Sequence, residues 1–107
     1  MRQSHDAYDP ALIRRVLSQT RTIALVGASA NPARPSHHVM AFLLGRGYRV
    51  IPVNPGLTGQ TLLGQPVVAR LAELGESVDM VEIFRSSDAA GGVVDEALAL
   101  APPPRFI

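Results

Sequence analysis

The sharpest constraint on this chain is an abrupt change of residue type between Thr22 and Ser36. Ile23-Ala24-Leu25-Val26 is an unbroken apolar run, and such a run without polar alternation predicts a strand buried on both faces, as in the middle of a parallel sheet. Small residues follow at once: Gly27, Ala28, Ser29 and Ala30, and then Asn31-Pro32-Ala33-Arg34-Pro35-Ser36. Backbone in such a loop can approach a ligand closely. Ser36 reads as the N-cap of a helix over His37 to Gly45 or Arg46, with Gly47 ending it in a left-handed conformation. The first N–H groups of a helix are unpaired and carry roughly half a positive charge, so an anion is stabilised there without a lysine. A tight strand-to-helix turn with ordinary capping accounts for the same residues, and the loop alone leaves both readings open.

The rest of the chain repeats the alternation. Residues 1–9 are polar and read as a flexible lead. Asp9-Pro10 opens a short amphipathic helix to Ser18 or Gln19, with Leu12, Ile13, Val16 and Leu17 on one stripe. Tyr48 to Val53 reads as a second strand, placed at an edge or ending early because Pro52 lacks a ladder donor. Asn54-Pro55-Gly56 turns the chain, Leu57 to Gln65 reads as an irregular connection, and Pro66-Val67-Val68 as a short extended piece. Arg70 to Leu74 makes one helical turn. Val78 to Phe84 is a third buried strand, and a last helix capped by Ser86 or Ser87 runs through Leu100. After three prolines, Arg105-Phe106-Ile107 resembles the opening of a further strand, as if the chain were cut short. Residues 10–107 thus form one domain of alternating strands and helices, which calls for a parallel sheet with right-handed crossovers.

In such sheets ligands bind beyond the carboxyl ends of the strands. Gly27, Ala28 and Ser29, then Asn54 and Pro55, then Arg85 and Ser86 should therefore share one rim. Ser29 and Ser36 supply hydroxyls there, and Arg34 can meet a phosphate with two parallel hydrogen bonds. Arg85 is read as a cation for the same anion, against the plain alternative of a solvated arginine or a partner for Asp88. The loop is neither Gly-x-Gly-x-x-Gly nor a P-loop. Asn54 stands where a dinucleotide site of the NAD type has an acidic residue for the ribose hydroxyls, although an adenosine can still rest on Val53 and Pro55.

Composition narrows the function. There is no cysteine, so disulfides, thiolate nucleophiles and cysteine metal sites are excluded. A net charge of +1 and three Phe, two Tyr and no Trp argue against nucleic acid as a partner. No apolar run approaches the roughly 18 residues of a membrane span, and the first residues do not read as a signal peptide, so the expected location is cytoplasmic and no membrane partner is expected. His37 and His38 are adjacent and point about 100° apart on a helix, a poor start for a metal site. Asp79 and Glu82 read as structural. No serine has an evident histidine and acid relay, and the chain reads as a binding rim without reaction machinery.

Four stretches, 23–36, 47–55, 63–67 (Leu-Gly-Gln-Pro-Val) and 78–85 (Val-Asp-Met-Val-Glu-Ile-Phe-Arg), together resemble the small bacterial CoA-binding proteins. These are similar to the CoA-binding domain of the succinyl-CoA synthetase alpha subunit. The resemblance implies a Rossmann-like, doubly wound parallel sheet and coenzyme A or an acyl-CoA as the ligand. It puts the phosphates near Gly27, Ala28, Ser29, Arg34 and Ser36, the adenosine near Val53, Asn54 and Pro55, and Phe84, Arg85 and Ser86 beside the ligand. The synthetase's catalytic histidine has no counterpart, so ligase activity does not carry over. An oxidoreductase fragment binding NAD(P), or a regulatory domain with a vestigial nucleotide site, are the alternatives. A protein partner or a homo-oligomer is left open.

Overall fold

The computed structural model describes residue 11 and residues 18–85, 87–100 and 102–107. Residues 1–9, most of the helix expected between Pro10 and Gln19, and Ser86 lie outside the described residues. Strand β1 (Thr22–Val26) is flanked by β2 (Arg49–Val53) on one side and, on the other, by a strand four residues long, Met80–Ile83. Both neighbours run parallel to β1, and Ala24 stands level with Ile51 and Val81.

The unbroken apolar run of β1 has the physical cause expected of it, two cores on opposite faces of one sheet. Ile23 and Leu25 pack with Met40 and Leu43 of helix α1 (Pro35–Gly45), and with Leu62 and Val67. Ala24 and Val26 pack on the other face with Ile51, Val53, Leu71, Val81 and Ala97. Ala97 comes from helix α2 (Ser87–Leu98). Alternate side chains of a strand point to opposite faces, so a strand covered on both sides has no place for a polar residue. Each fully buried Ile, Leu or Val stabilises the fold by roughly 1.5–3 kcal/mol.

Helix α1 begins earlier than its serine suggests. Arg34 is the N-cap, with extended backbone and no side-chain cap, and Pro35 opens the helix. Proline suits this position because its missing N–H would have had no partner there. Ser36 is instead inside the first turn and buried. The far end matches expectation: Gly47 has φ +91°, its N–H donates to Leu44 O at 3.1 Å, and the Tyr48 N–H reaches back to Leu43 O at 3.1 Å. That pair of bonds closes the helix through a left-handed glycine.

Pro52 is tolerated because of the side it faces. The Val68 N–H donates to the Pro52 carbonyl at 3.0 Å, and Val68 bridges Val53 in parallel. Both main-chain groups of Pro52 thus face away from β1, and no bond of the β1–β2 ladder is lost. Between these segments the connection is more regular than expected. Pro55–Leu57 forms one tight helical turn, and Thr61–Leu62 (β3) pairs antiparallel with Gln65–Pro66 (β4). The hairpin turns on Leu63 and Gly64, both at positive φ (+49° and +82°), the twist that suits a two-residue connection. A leucine in that conformation is a weak sequence signal, which is why the hairpin reads as irregular chain.

Leu71–Glu73 forms the expected single turn, and Met80–Ile83, now β5, is shorter than the stretch Val78 to Phe84. Near the chain's end Phe106 lies parallel to β5 beside Met80. Its N–H donates to Asp79 O, and its carbonyl accepts from the Val81 N–H, each at 2.9 Å.

Asp79 staples the amino end of the sheet. Its carboxylate accepts the N–H groups of Arg21 and Thr22 at 2.9 and 3.1 Å, and these two bonds hold its carboxyl below the ordinary carboxylate range. A folded pKa below the unfolded one stabilises the fold above about pH 4, and that stabilisation is lost as the pH falls through the folded value. Asp79→Ala is expected to cost roughly 1–3 kcal/mol at pH 7, with the gap to wild type closing below about pH 4 in urea melts. A gap of constant size down to pH 2 would detach Asp79 ionisation from stability.

Candidate functional site

The carboxyl ends of β2, β1 and β5 meet through two main-chain bonds. The Gly27 N–H donates to Val53 O at 2.9 Å, and the Phe84 N–H donates to Val26 O at 2.8 Å. Gly27 has φ +85°, and a Cβ built on it would collide with the Phe84 carbonyl oxygen and lie 2.9 Å from its carbon. Both the dihedral and the contact demand glycine here. The loop beyond is braced by its own polar groups. Ser29 Oγ accepts the Asn31 N–H at 3.0 Å, Asn31 Oδ1 accepts the Ala33 N–H at 2.9 Å, and the Arg34 N–H returns to Asn31 O at 3.0 Å.

Asn54 crosses from the end of β2 to this loop. Its Nδ2 donates to Ala28 O at 2.8 Å, while its Oδ1 accepts the Gly56 N–H at 2.8 Å. One partner needs a donor and the other an acceptor, so only one orientation of the amide serves both.

Around these residues lies a groove of about 490 Å³, walled by Gly27, Ala28 and Ser29, by Arg34, Pro35 and Ser36, and by Asn54, Phe84 and Arg85. Among the described residues no wall residue is acidic and none is a histidine. Arg34 and Arg85 are exposed, and neither forms an ion pair with another described residue. Ser36 is only 4% exposed, yet its hydroxyl has no hydrogen-bond partner among the described residues. A buried hydroxyl without a partner is costly, roughly 1–3 kcal/mol, and an oxyanion in the groove would remove that cost. The first turn of α1 carries no acidic residue to compete.

The opposite rim is arranged differently. There Asp79 is bound to backbone N–H groups, and Arg49 at the start of β2 meets Glu76 with two hydrogen bonds, one of 2.7 Å between Nε and Oε1. The Arg49 guanidinium and the Glu76 carboxylate stabilise each other's charged forms through this contact.

Of the residues singled out in the sequence, Gly27, Ala28, Ser29, Arg34, Ser36, Asn54, Phe84 and Arg85 come together in the groove wall. Val53 does not: its side chain is 2% exposed and belongs to the core with Leu71 and Val81. Pro55 opens the turn after β2 and is not part of the wall. Pro35 is an addition, signalled by a proline placed just inside a helix start. Among the described residues no three histidine, aspartate or glutamate side chains gather to hold a metal ion, and no helix is long and apolar enough to cross a membrane.

Gly27→Ala is expected to destabilise the chain by roughly 2 kcal/mol or more, from the strained dihedral and the collision with Phe84. The measurement is the urea midpoint at neutral pH, and a wild-type midpoint would mean that the contact is not as close as the geometry implies.

The comparison with known proteins agrees with this architecture. A family model described as CoA binding domain matches residues 21–107. The uncharacterized protein YneT of Bacillus subtilis (strain 168) is 39% identical over 93 residues, which is 87% of this chain and 67% of that protein. Among solved structures, cell-free ID.343 from Thermus thermophilus is 42% identical with a TM-score of 0.81, over 89% of this chain and 70% of that one. A hypothetical protein from Pyrococcus horikoshii OT3 is 31% identical with a TM-score of 0.83, over 92% and 68% respectively. The chain therefore spans about two thirds of the length of each of these relatives. With a Rossmann-like parallel sheet and a family match across four fifths of its sequence, this chain belongs to the CoA-binding domain family.

Proposed function

We propose that this chain binds coenzyme A or an acyl-CoA in the cytoplasm as a non-catalytic or accessory module, with the phosphates in the groove beside Gly27. The observation that carries the reading is the buried Ser36 hydroxyl, without a hydrogen-bond partner among the described residues, in a wall that also presents Arg34 and Arg85. These groups fit an oxyanion rather than a metal or a neutral sugar. The absence of a side chain at Gly27 lets the Phe84 carbonyl close against the loop, which brings Phe84 and Arg85 to the groove wall, and guanidinium groups suit phosphate oxygens geometrically as well as by charge.

Residue by residue, the proposal gives the phosphates to Gly27, Ala28, Ser29, Arg34 and Ser36. Phe84, Arg85 and Ser86 lie beside the ligand, and the adenosine is assigned to the end of β2 at Val53, Asn54 and Pro55. With Val53 in the core, its share of that contact is limited to backbone. The groove is open to solvent, so parts of a coenzyme A beyond the phosphates can extend over the rim. The non-catalytic part of the reading rests on the composition of the wall. Its two serines face no histidine or carboxylate among the described residues, and a hydroxyl without a base is a weak nucleophile.

Thermal melting with coenzyme A, dephospho-CoA, NAD and NADP tests the proposal. A ligand at 100 times its Kd should stabilise the fold by about 2.7 kcal/mol. Coenzyme A is expected to raise the melting temperature and NAD to leave it unchanged; a shift with NAD alone would favour an oxidoreductase fragment, and no shift with any of the four a vestigial site. Arg85→Ala should weaken coenzyme A binding about tenfold by titration calorimetry, the loss of one charge-assisted contact. Unchanged affinity would take Arg85 out of the site.

A further inference from the structure

We infer that Asn54 is a positioning residue, a latch that sets the shape of the phosphate loop, and that this role replaces the adenosine contact assigned to it above. The inference rests on the coenzyme A reading for its ligand but on main-chain geometry for its cause. An asparagine amide has one acceptor end and one donor end, and at Asn54 both ends are in use within the protein. The donor end reaches across to Ala28 O at 2.8 Å, a residue 26 positions away in sequence, and the acceptor end takes the Gly56 N–H at 2.8 Å. The main chain is equally committed. The Asn54 N–H donates to Val68 O at 2.9 Å and its carbonyl accepts the Leu57 N–H at 3.1 Å.

Asn54 thus joins three segments that share no other side-chain hydrogen bond among those described: the loop after β1, the turn after β2, and the strand-like piece at Val68. Ala28 is buried, 1% exposed, so its carbonyl has little access to water and depends on the Asn54 amide for a partner. Its partner bond fixes the peptide plane between Ala28 and Ser29. The Ser29 N–H belongs to that plane, and both Ala28 and Ser29 line the groove. Rotation of this plane would change which main-chain group the loop presents to the groove, and a phosphate is bound by N–H donors and repelled by carbonyl oxygens.

The same bonding explains the residue type. An aspartate would cap Gly56 equally well through a carboxylate oxygen, but it has no donor for Ala28 O and would set a negative charge against that carbonyl. The position that accepts an acid in NAD sites is here required to donate.

Two variants separate the latch from the cap. Asn54→Ala removes both side-chain bonds, and Asn54→Asp keeps the cap and removes the latch. In the ligand-free protein, hydrogen exchange at the Gly27 and Asn31 amides is expected to speed up at least tenfold in both variants, with exchange at Ile23 to Val26 unchanged. Wild-type exchange in Asn54→Asp would mean that only the cap matters and would overturn the inference; so would a uniform increase along β1, which marks general destabilisation. A second measurement uses binding. Asn54→Ala should weaken inorganic pyrophosphate and coenzyme A by the same factor, about tenfold. Loss for coenzyme A with pyrophosphate unaffected would show a contact to the adenosine side and refute the latch. The exchange measurement needs no ligand, so it stands or falls apart from the identity of the ligand.

Discussion

At Gly27 three strands meet at one backbone atom group. Its N–H is held by the end of β2, and the space a side chain would need is taken by the Phe84 carbonyl at the end of β5. Strands in a twisted parallel sheet diverge at their ends unless something draws them together. Here the contact is made by leaving out a Cβ. Everything on the rim depends on it: the loop can turn toward Asn54, α1 can start directly behind the loop, and Phe84 and Arg85 are brought opposite Ser36. Ends that meet this way leave a groove walled by small residues on one side and by Arg34, Phe84 and Arg85 on the other.

The distribution of charge along the strand direction is uneven in a way that composition hides. At the amino ends of the strands Asp79, Arg49 and Glu76 are engaged, by backbone N–H groups or by each other. At the carboxyl ends Arg34 and Arg85 stand without a carboxylate among the described residues, next to a helix start and a buried hydroxyl. A net charge of +1 averages these two ends. The exposed Arg49–Glu76 pair contributes little to stability, since solvent screens it. The unpaired end matters more for binding, because cations that are not already neutralised keep their attraction for an anion.

Much of this was legible in residue patterns. The apolar run of β1, the left-handed glycine after α1 and the edge position of a strand containing Pro52 are local consequences of side-chain volume, chirality and a missing N–H. Chemistry at an element boundary was read less well. Ser36 has the side chain of an N-cap, yet Pro35 one residue earlier already satisfies the demands of a first helical position, and the helix starts there. The serine is displaced inward and its hydroxyl left without a partner among the described residues, which no capping preference could reveal. The hairpin at Leu63-Gly64 was hidden because its first turn residue is a leucine at positive φ, a conformation few leucines adopt. Val53 looked like a ligand contact because it ends a strand at the rim, but parity along β2 sends its side chain into the core.

What the sequence determined by itself is the three buried strands and the helices that follow β1 and β5. Buried parallel strands need unbroken apolar runs, and small residues after such a run open a loop. Tertiary structure decided how the rim residues divide the work. Asn54 and Ala28 are 26 positions apart and bond only because β1 and β2 lie side by side in register. Arg85 joins Arg34 only because β5 crosses to the far side of β1. The reason is general: a strand's own residues specify its burial, whereas partnership between strand ends depends on order and register, which emerge only when the whole sheet packs.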